Sequence, residues 1–172
     1  MKGKILIVDD LADFRKLLRN ALEDNNTITE ADSKAALEKA LTQEQPELVL
    51  LDVKLPDGNG LELLPAIKKR WPETEVIVLT GAPDDKEALS WAVEATKGGA
   101  FNFLRKSAEF DFEKLLADVN NALEHCRQMA ETSMLRRALE TMSGTASPVF
   151  QSTAMREVVR TVERIAPSDV AV

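Results

Sequence analysis

The apolar positions of this chain fall into two kinds of run that alternate along it. Ile5–Val8, Leu48–Leu51 and Val76–Leu79 are short, unbroken runs of aliphatic residues, and each reads as a strand buried on both faces. Thr27–Ala31 is a weaker, more polar strand suited to a sheet edge, and Ala100–Leu104 is a last strand. Between them the apolar residues recur at helical spacing. Leu11, Phe14, Leu17, Leu18, Ala21 and Leu22 make one stripe, and Ala35, Ala36, Leu37, Ala40 and Leu41 a second that stops before Pro46. Leu61–Arg70 and Asp85–Lys97 are two further helices. Pro56-Asp57-Gly58-Asn59-Gly60 is a turn by composition.

Five strands alternating with helices imply an α/β fold with a parallel sheet covered on both faces. Right-handed crossovers leave few topologies, and the common five-stranded order 2-1-3-4-5 has its switch point between strands 1 and 3. Ligands bind at the carboxyl ends of strands at such a point. Those ends carry Asp9-Asp10 and Asp52, and the next two strands end near Thr80 and Lys106.

Beyond the alternating part the pattern changes. From about Phe112 to about Met142 the chain reads as one long helix with a stripe of Leu115, Leu116, Val119, Ala122, Leu123 and Cys126, continued by Ala130, Met134, Leu135, Ala138, Leu139 and Met142. A phase slip near 130–135 resembles a coiled-coil stutter, and a stripe longer than one small domain can cover predicts a dimeric coiled coil. Ser143–Pro148 reads as a linker, Met155–Ile165 as a short amphipathic helix, and Asp169–Val172 as the start of a strand.

Charge narrows the classes of function. Net charge is −7, and residues 1–126 hold 24 Asp and Glu against 16 Lys and Arg, while the remainder is near neutral with 5 against 6. An acidic first part lacks the positive face that phosphate backbones require, so no nucleic-acid binding is expected. The single Cys126 rules out an intrachain disulfide and is expected to be a small apolar residue in the helix seam. MKGKILIVDD runs straight into a strand without the apolar core of a signal peptide, and no stretch reaches ~18 apolar residues. A cytoplasmic location is expected. His125 falls on a helix away from the strand ends, and no phosphotransfer or metal role is expected of it.

Carboxylates gathered at one point raise each other's pKa unless a cation joins them. Mg²⁺ suits an all-oxygen set. A carboxylate beside it can act as nucleophile and form an aspartyl phosphate, while the metal neutralises the charge on the transferring group. A lysine can pair with phosphoryl oxygens and a hydroxyl can sense them. Asp9, Asp10, Asp52, Lys106 and Thr80 match these needs, and Gly81 leaves room beside Thr80 for a phosphoryl group.

Four segments, Ile5-Leu6-Ile7-Val8-Asp9-Asp10, Leu50-Leu51-Asp52 with Pro56–Gly60, Val78-Leu79-Thr80-Gly81 and Gly99–Lys106, together resemble the receiver domain of response regulators over roughly residues 1–125. The resemblance implies a flavodoxin-like, CheY-like doubly wound fold in two-component signal transduction. Asp52 is then the phosphoacceptor, phosphorylated by a sensor histidine kinase. Asp9, Asp10, Asp52 and the Lys54 backbone carbonyl are the Mg²⁺ ligands, Thr80 and Phe103 the switch pair, and Lys106 the phosphoryl contact. Three departures stand out. Ser107 replaces the usual proline after the lysine, and a cis bond without proline costs ~3–4 kcal/mol, so the sequence leaves cis and trans open. Some four extra residues fall around Ala82–Trp91, a surface through which receivers commonly dimerise or signal. The positions two after Asp52 and Thr80, which tune phosphoryl lifetime, are Lys54 and Ala82.

Leu135–Leu139, Pro148–Val158 and Arg164–Asp169 resemble the approach to the ATPase domain of sigma-54-dependent activators, with Gln151 where that family has glycine. The implied organisation is a receiver at 1–125, a coiled-coil-like linker helix at 126–143, and a linker with the start of an AAA+ ATPase domain at 144–172. The ATPase core and a DNA-binding domain would lie outside this sequence, and a homodimer would form through the linker helix, the strand 4–helix 5 face, or both. Two other readings compete: a Mg²⁺-dependent phosphohydrolase with an aspartyl intermediate, and a degenerate receiver serving only as a dimerisation module. The first is disfavoured because such enzymes carry their nucleophile on strand 1.

Overall fold

The structure is a computed structural model describing residues 2–82, 84–107 and 110–145. The readings placed on 146–172, the ATPase approach among them, lie outside the described residues. The chain divides into two units, Met1–Ala130 and Glu131–Val172, and the sheet belongs to the first.

Five strands form the sheet: β1 (Gly3–Val8), β2 (Asn26–Ala31), β3 (Leu48–Asp52), β4 (Glu75–Thr80) and β5 (Asn102–Arg105). Their order is β2-β1-β3-β4-β5 and every pairing is parallel, as the alternation of strands and helices predicts. The helices are α1 (Ala12–Leu22), α2 (Lys34–Gln43), α3 (Leu64–Arg70), α4 (Asp85–Lys97) and α5 (Phe112–Thr145). A 3₁₀ turn at Gly60–Leu63 leads into α3, so the expected helix from Leu61 begins in the tighter form.

The unbroken apolar strands are explained by two cores, one on each face. Leu6, Val8, Val49, Leu51, Val76 and Val78 pack with Leu37, Leu41, Leu64, Ile67 and Ala95 from α2, α3 and α4. Ile5, Ile7, Leu48, Leu50, Ile77 and Leu79 point the other way, toward Leu18 and Leu22 of α1 and Leu115, Val119, Ala122 and Leu123 of α5. Each fully buried aliphatic side chain contributes roughly 1.5–3 kcal/mol, so the central strands fix the register firmly. Asp52 lies opposite Leu79 and Val8 opposite Leu51, which brings the ends of β1, β3 and β4 level.

The α1 stripe is narrower than its sequence suggests. Leu18 and Leu22 are buried, but Leu11, Leu17 and Ala21 are exposed. One helix lying on a sheet covers only part of its circumference, and α5 takes the adjoining space. On α5, Leu115, Val119, Ala122, Leu123 and Cys126 are buried as expected, whereas Leu116 stands at the surface. Met134, Leu135 and Leu139 farther along α5 are exposed.

The Pro56–Gly60 turn closes a two-residue antiparallel ribbon, Lys54–Leu55 against Gly58–Asn59, with Gly58 at φ +139°. Its Asp57 reaches across to α2. The carboxylate accepts hydrogen bonds from the backbone N–H groups of Lys34 (2.8 Å) and Ala35 (3.0 Å), which hold its pKa below the ordinary range. Ser33 accepts from Ala36 N–H at 3.3 Å in the same first turn, so the orphan donors of α2 are met from two directions.

Candidate functional site

Asp9 follows β1, Asp52 ends β3, Thr80 ends β4 and Lys106 follows β5. The strand order sets β1, β3, β4 and β5 side by side, and these residues therefore gather at one edge. Carboxylate oxygens of Asp9, Asp10 and Asp52 lie within 4.8 Å of one another. Asp9 and Asp52 are buried, at 1% and 4% exposure, and Asp10 is exposed.

Lys106 bridges the two buried acids. Its ammonium donates to Asp52 Oδ2 at 2.7 Å and to Asp9 Oδ2. It also stands 4.7 Å from the centre of the Phe14 ring, a cation–π arrangement. Burial pushes the Asp52 carboxyl above its ordinary pKa, and the Asp9 charge adds to this, while Lys106 and the Lys54 N–H oppose it. The Lys54 N–H is 3.4 Å from Asp52 Oδ1. All described peptide bonds are trans, so Lys106-Ser107 is trans, and the lysine still reaches both acids. Its backbone N–H, hydrogen-bonded to Thr80 O at 2.7 Å, continues the β4–β5 ladder and anchors the loop.

Thr80 is fully buried, and its hydroxyl has no hydrogen-bond partner among the described residues. An orphaned buried hydroxyl costs about 1–3 kcal/mol, which suggests a partner that arrives from outside the chain. Next to it, a Cβ placed on Gly81 would meet nothing within 4 Å, so the space beside Thr80 is open. Phe103 is half-buried and packs against the core on the α2–α4 face. Gly60 has a different constraint: its N–H bonds Val53 O at 2.8 Å, and a Cβ there would lie 2.1 Å from the carbonyl oxygen of Asp52. No side chain fits beneath the Asp52 backbone.

The segment after Thr80 is tied down by charged side chains. Asp84 caps α4, accepting from Glu87 N–H at 2.8 Å. Arg105 pairs with Asp85 and donates to Ala82 O at 3.3 Å. Lys54 lies 4.0 Å from Glu87 and 5.1 Å from the centre of the Trp91 ring. The helix itself buries only Ala88 and Ala95.

Two contributors were not legible as such. Phe14 reads as a stripe residue but lies against Lys106 and, edge-on, against Phe110 at 5.5 Å. Arg15 has no part in the apolar pattern of its helix, yet its Nη1 donates to the carbonyl oxygens of Asp9 (2.6 Å) and Asp10 (3.1 Å). No spacing rule signals a side chain that binds the backbone of residues five and six positions earlier. His125 is outside the site, as expected, with Nδ1 2.7 Å from Glu75 Oε1.

A doubly wound parallel sheet with an acidic cluster at its switch point, a partly buried lysine across it and an orphaned hydroxyl alongside defines the receiver class of signalling domain. The comparisons agree: residues 5–120 match the response regulator receiver domain family, and the chain belongs to it. Over its full length the chain is similar to two-component transcription regulators. It is 33% identical to the DNA-binding transcriptional regulator NtrC of Proteus hauseri, covering 99% of this chain and 34% of that protein. A crystal structure of NtrX from Brucella abortus in complex with ADP superposes with a TM-score of 0.68 at 32% identity, over 98% of this chain and 35% of that one. A response regulator receiver domain protein from Clostridium thermocellum gives 0.65 at 32% identity, over 74% of this chain and 98% of that one. The chain spans about a third of the length of the curated NtrC relative.

Proposed function

We propose that the chain accepts a phosphoryl group on Asp52 from a sensor histidine kinase and, in a longer protein of the sigma-54 activator type, regulates the ATPase that follows. The observation that carries this reading is the bridging of Asp9 and Asp52 by Lys106, with Asp10 beside them and the Thr80 hydroxyl unpartnered.

The donor set fits Mg²⁺, since all three side chains offer hard oxygen atoms within a few ångströms. Asp9, Asp10, Asp52 and the Lys54 carbonyl would hold the ion, which when bound neutralises charge on the transferring group. An Asp52 carboxylate oxygen attacks phosphorus as the bond to the donor breaks, leaving an acyl phosphate. Lys106 turns from the carboxylates to the new phosphoryl oxygens. The Thr80 hydroxyl gains a partner, and Phe103 on the adjacent strand moves with it. Asp52 is a stoichiometric acceptor in this scheme, with at most slow self-phosphorylation and autodephosphorylation.

Downstream, the receiver ends near residue 125, residues 126–143 form the linker helix and 144–172 open the ATPase part. Exposed Met134, Leu135 and Leu139 on α5 favour pairing of linker helices in a homodimer, and exposed Leu89 and Val93 on α4 favour a second contact at the strand 4–helix 5 face. No described helix is long and apolar enough to cross a membrane, which supports a cytoplasmic site of action.

The test is intact mass after incubation with acetyl phosphate and Mg²⁺, alongside Asp52→Asn, with solution molar mass measured for both forms. One phosphoryl group gained by the natural sequence and none by Asp52→Asn is expected. Equal labelling of the two would remove Asp52 from the role.

A further inference from the structure

We infer that Arg15 is a positioning residue for the acidic pair, holding the Asp9-Asp10 turn in the shape that binds a divalent cation; the inference rests on the Mg²⁺ reading above. Arg15 lies in the second turn of α1 and is mostly buried, its side chain 16% exposed. One guanidinium nitrogen, Nη1, donates to both the Asp9 and the Asp10 carbonyl oxygens, at 2.6 and 3.1 Å. On its other edge, Nε faces Glu30 Oε2 at 3.4 Å, and Glu30 also accepts from Arg19 Nε at 2.5 Å. A planar fork that cannot lose its proton thus spans edge strand β2 and the backbone of the two acids.

Apart from the Lys106 ammonium on Asp9 Oδ2, the turn has few other restraints. Asp9 N–H bonds Ala31 O at 3.1 Å, and Leu11 N–H bonds Asp9 Oδ1 at 3.0 Å. Among the described residues the Asp10 carboxylate has no ion-pair partner, and this exposed side chain is aimed by its backbone alone. The Arg15 bond to the Asp10 carbonyl therefore restrains the backbone from which that carboxylate projects.

Charge and geometry make opposite forecasts, which makes the idea decidable. As a cation near a cation site, Arg15 repels Mg²⁺, so deleting it should tighten binding if only charge matters. If Arg15 orients the acids, deleting it should weaken binding, as loss of outer-shell partners does by about 10-fold or more.

The experiment measures Mg²⁺ affinity by titration calorimetry for the natural sequence, Arg15→Met, Arg15→Lys and Glu30→Gln. Amide hydrogen exchange is followed in EDTA at Asp10 and Leu11, with β3 and β4 amides reporting on the fold. Arg15→Met keeps most of the stem, and Arg15→Lys keeps the charge without the fork. Glu30→Gln, at the sheet edge, removes the anchor and leaves the guanidinium in place if the Arg15 variants fold poorly. The expected result is affinity about 10-fold lower in Arg15→Met, lowered also in Arg15→Lys and Glu30→Gln, with faster exchange at Asp10 and Leu11 while β3 and β4 stay protected. Unchanged or tighter binding in folded variants overturns the inference alone. A natural sequence that binds no Mg²⁺ overturns the metal reading and this inference with it.

Discussion

Replacing Lys106 with methionine removes the only cation bonded to the Asp9 and Asp52 side chains among the described residues, and with it the ammonium over Phe14, while keeping a side chain of similar length. Both carboxylates are almost fully buried. Breaking a buried ion pair by deleting one partner costs about 3–5 kcal/mol, or roughly 6–20 °C of Tm for a chain of this length. The protein can relieve part of that by protonating Asp52. Its folded pKa is already raised by burial and held down in part by Lys106, so the variant's is higher still. For a carboxyl whose folded pKa exceeds its unfolded value, the stabilising contribution is present below the unfolded value near 3.8 and is lost as pH rises through the folded pKa. In Lys106→Met that loss continues to higher pH and is deeper. The stability deficit should therefore be largest near pH 7.5 and shrink toward pH 4.5. Urea unfolding in EDTA at the two pH values measures it, and added MgCl₂ should narrow the gap at pH 7.5. A deficit under about 1 kcal/mol at pH 7.5, or one that does not change with pH, would refute the assignment of Lys106 as the counter-charge of a buried acid pair.

Thr80→Val removes a buried hydroxyl that has no partner and preserves its shape, so the unphosphorylated protein should gain about 1 kcal/mol in urea unfolding; a loss of stability would mean that the hydroxyl is satisfied after all. Gly60→Ala forces a methyl group to within 2.1 Å of the Asp52 carbonyl oxygen and should cost about 3 kcal/mol, with slower phosphorylation because the displaced backbone carries Asp52. A variant as stable and as reactive as the natural sequence would contradict that close approach. Burial, followed by the charges of Glu47, Glu75 and Glu73, pushes the Cys126 thiol up to about 11. Labelling by a thiol-specific alkylating agent at pH 8 should be about 100-fold slower in the folded protein than in urea, and comparable rates would show that this face of α5 is open.

The architecture and the convergence of Asp9, Asp52, Thr80 and Lys106 were legible from sequence because both rest on local patterning. Unbroken apolar strands alternating with amphipathic segments specify a doubly covered parallel sheet. A polar residue at the end of such a strand is carried to the edge where the crossovers begin, whatever the details of packing. Asp9, Asp52, Thr80 and Lys106 each follow or finish a strand, so their convergence needed only the strand order. The α1 stripe was overestimated because periodicity gives a helix a face without saying how much of it a neighbour will cover; in the folded chain Leu11 and Leu17 remain exposed.

What the sequence determined by itself was thus the sheet, its order and the identity of the acids. Tertiary structure decided how those acids are held. Long side chains reach across elements to partners that are distant in sequence or are backbone atoms, and neither leaves a period in the sequence to detect. Arg15 binding the carbonyls of Asp9 and Asp10, Asp57 capping α2, Gly60 passing beneath Asp52 and Lys106 reaching two carboxylates through a trans bond to Ser107 all depend on distances fixed only once the two cores have closed.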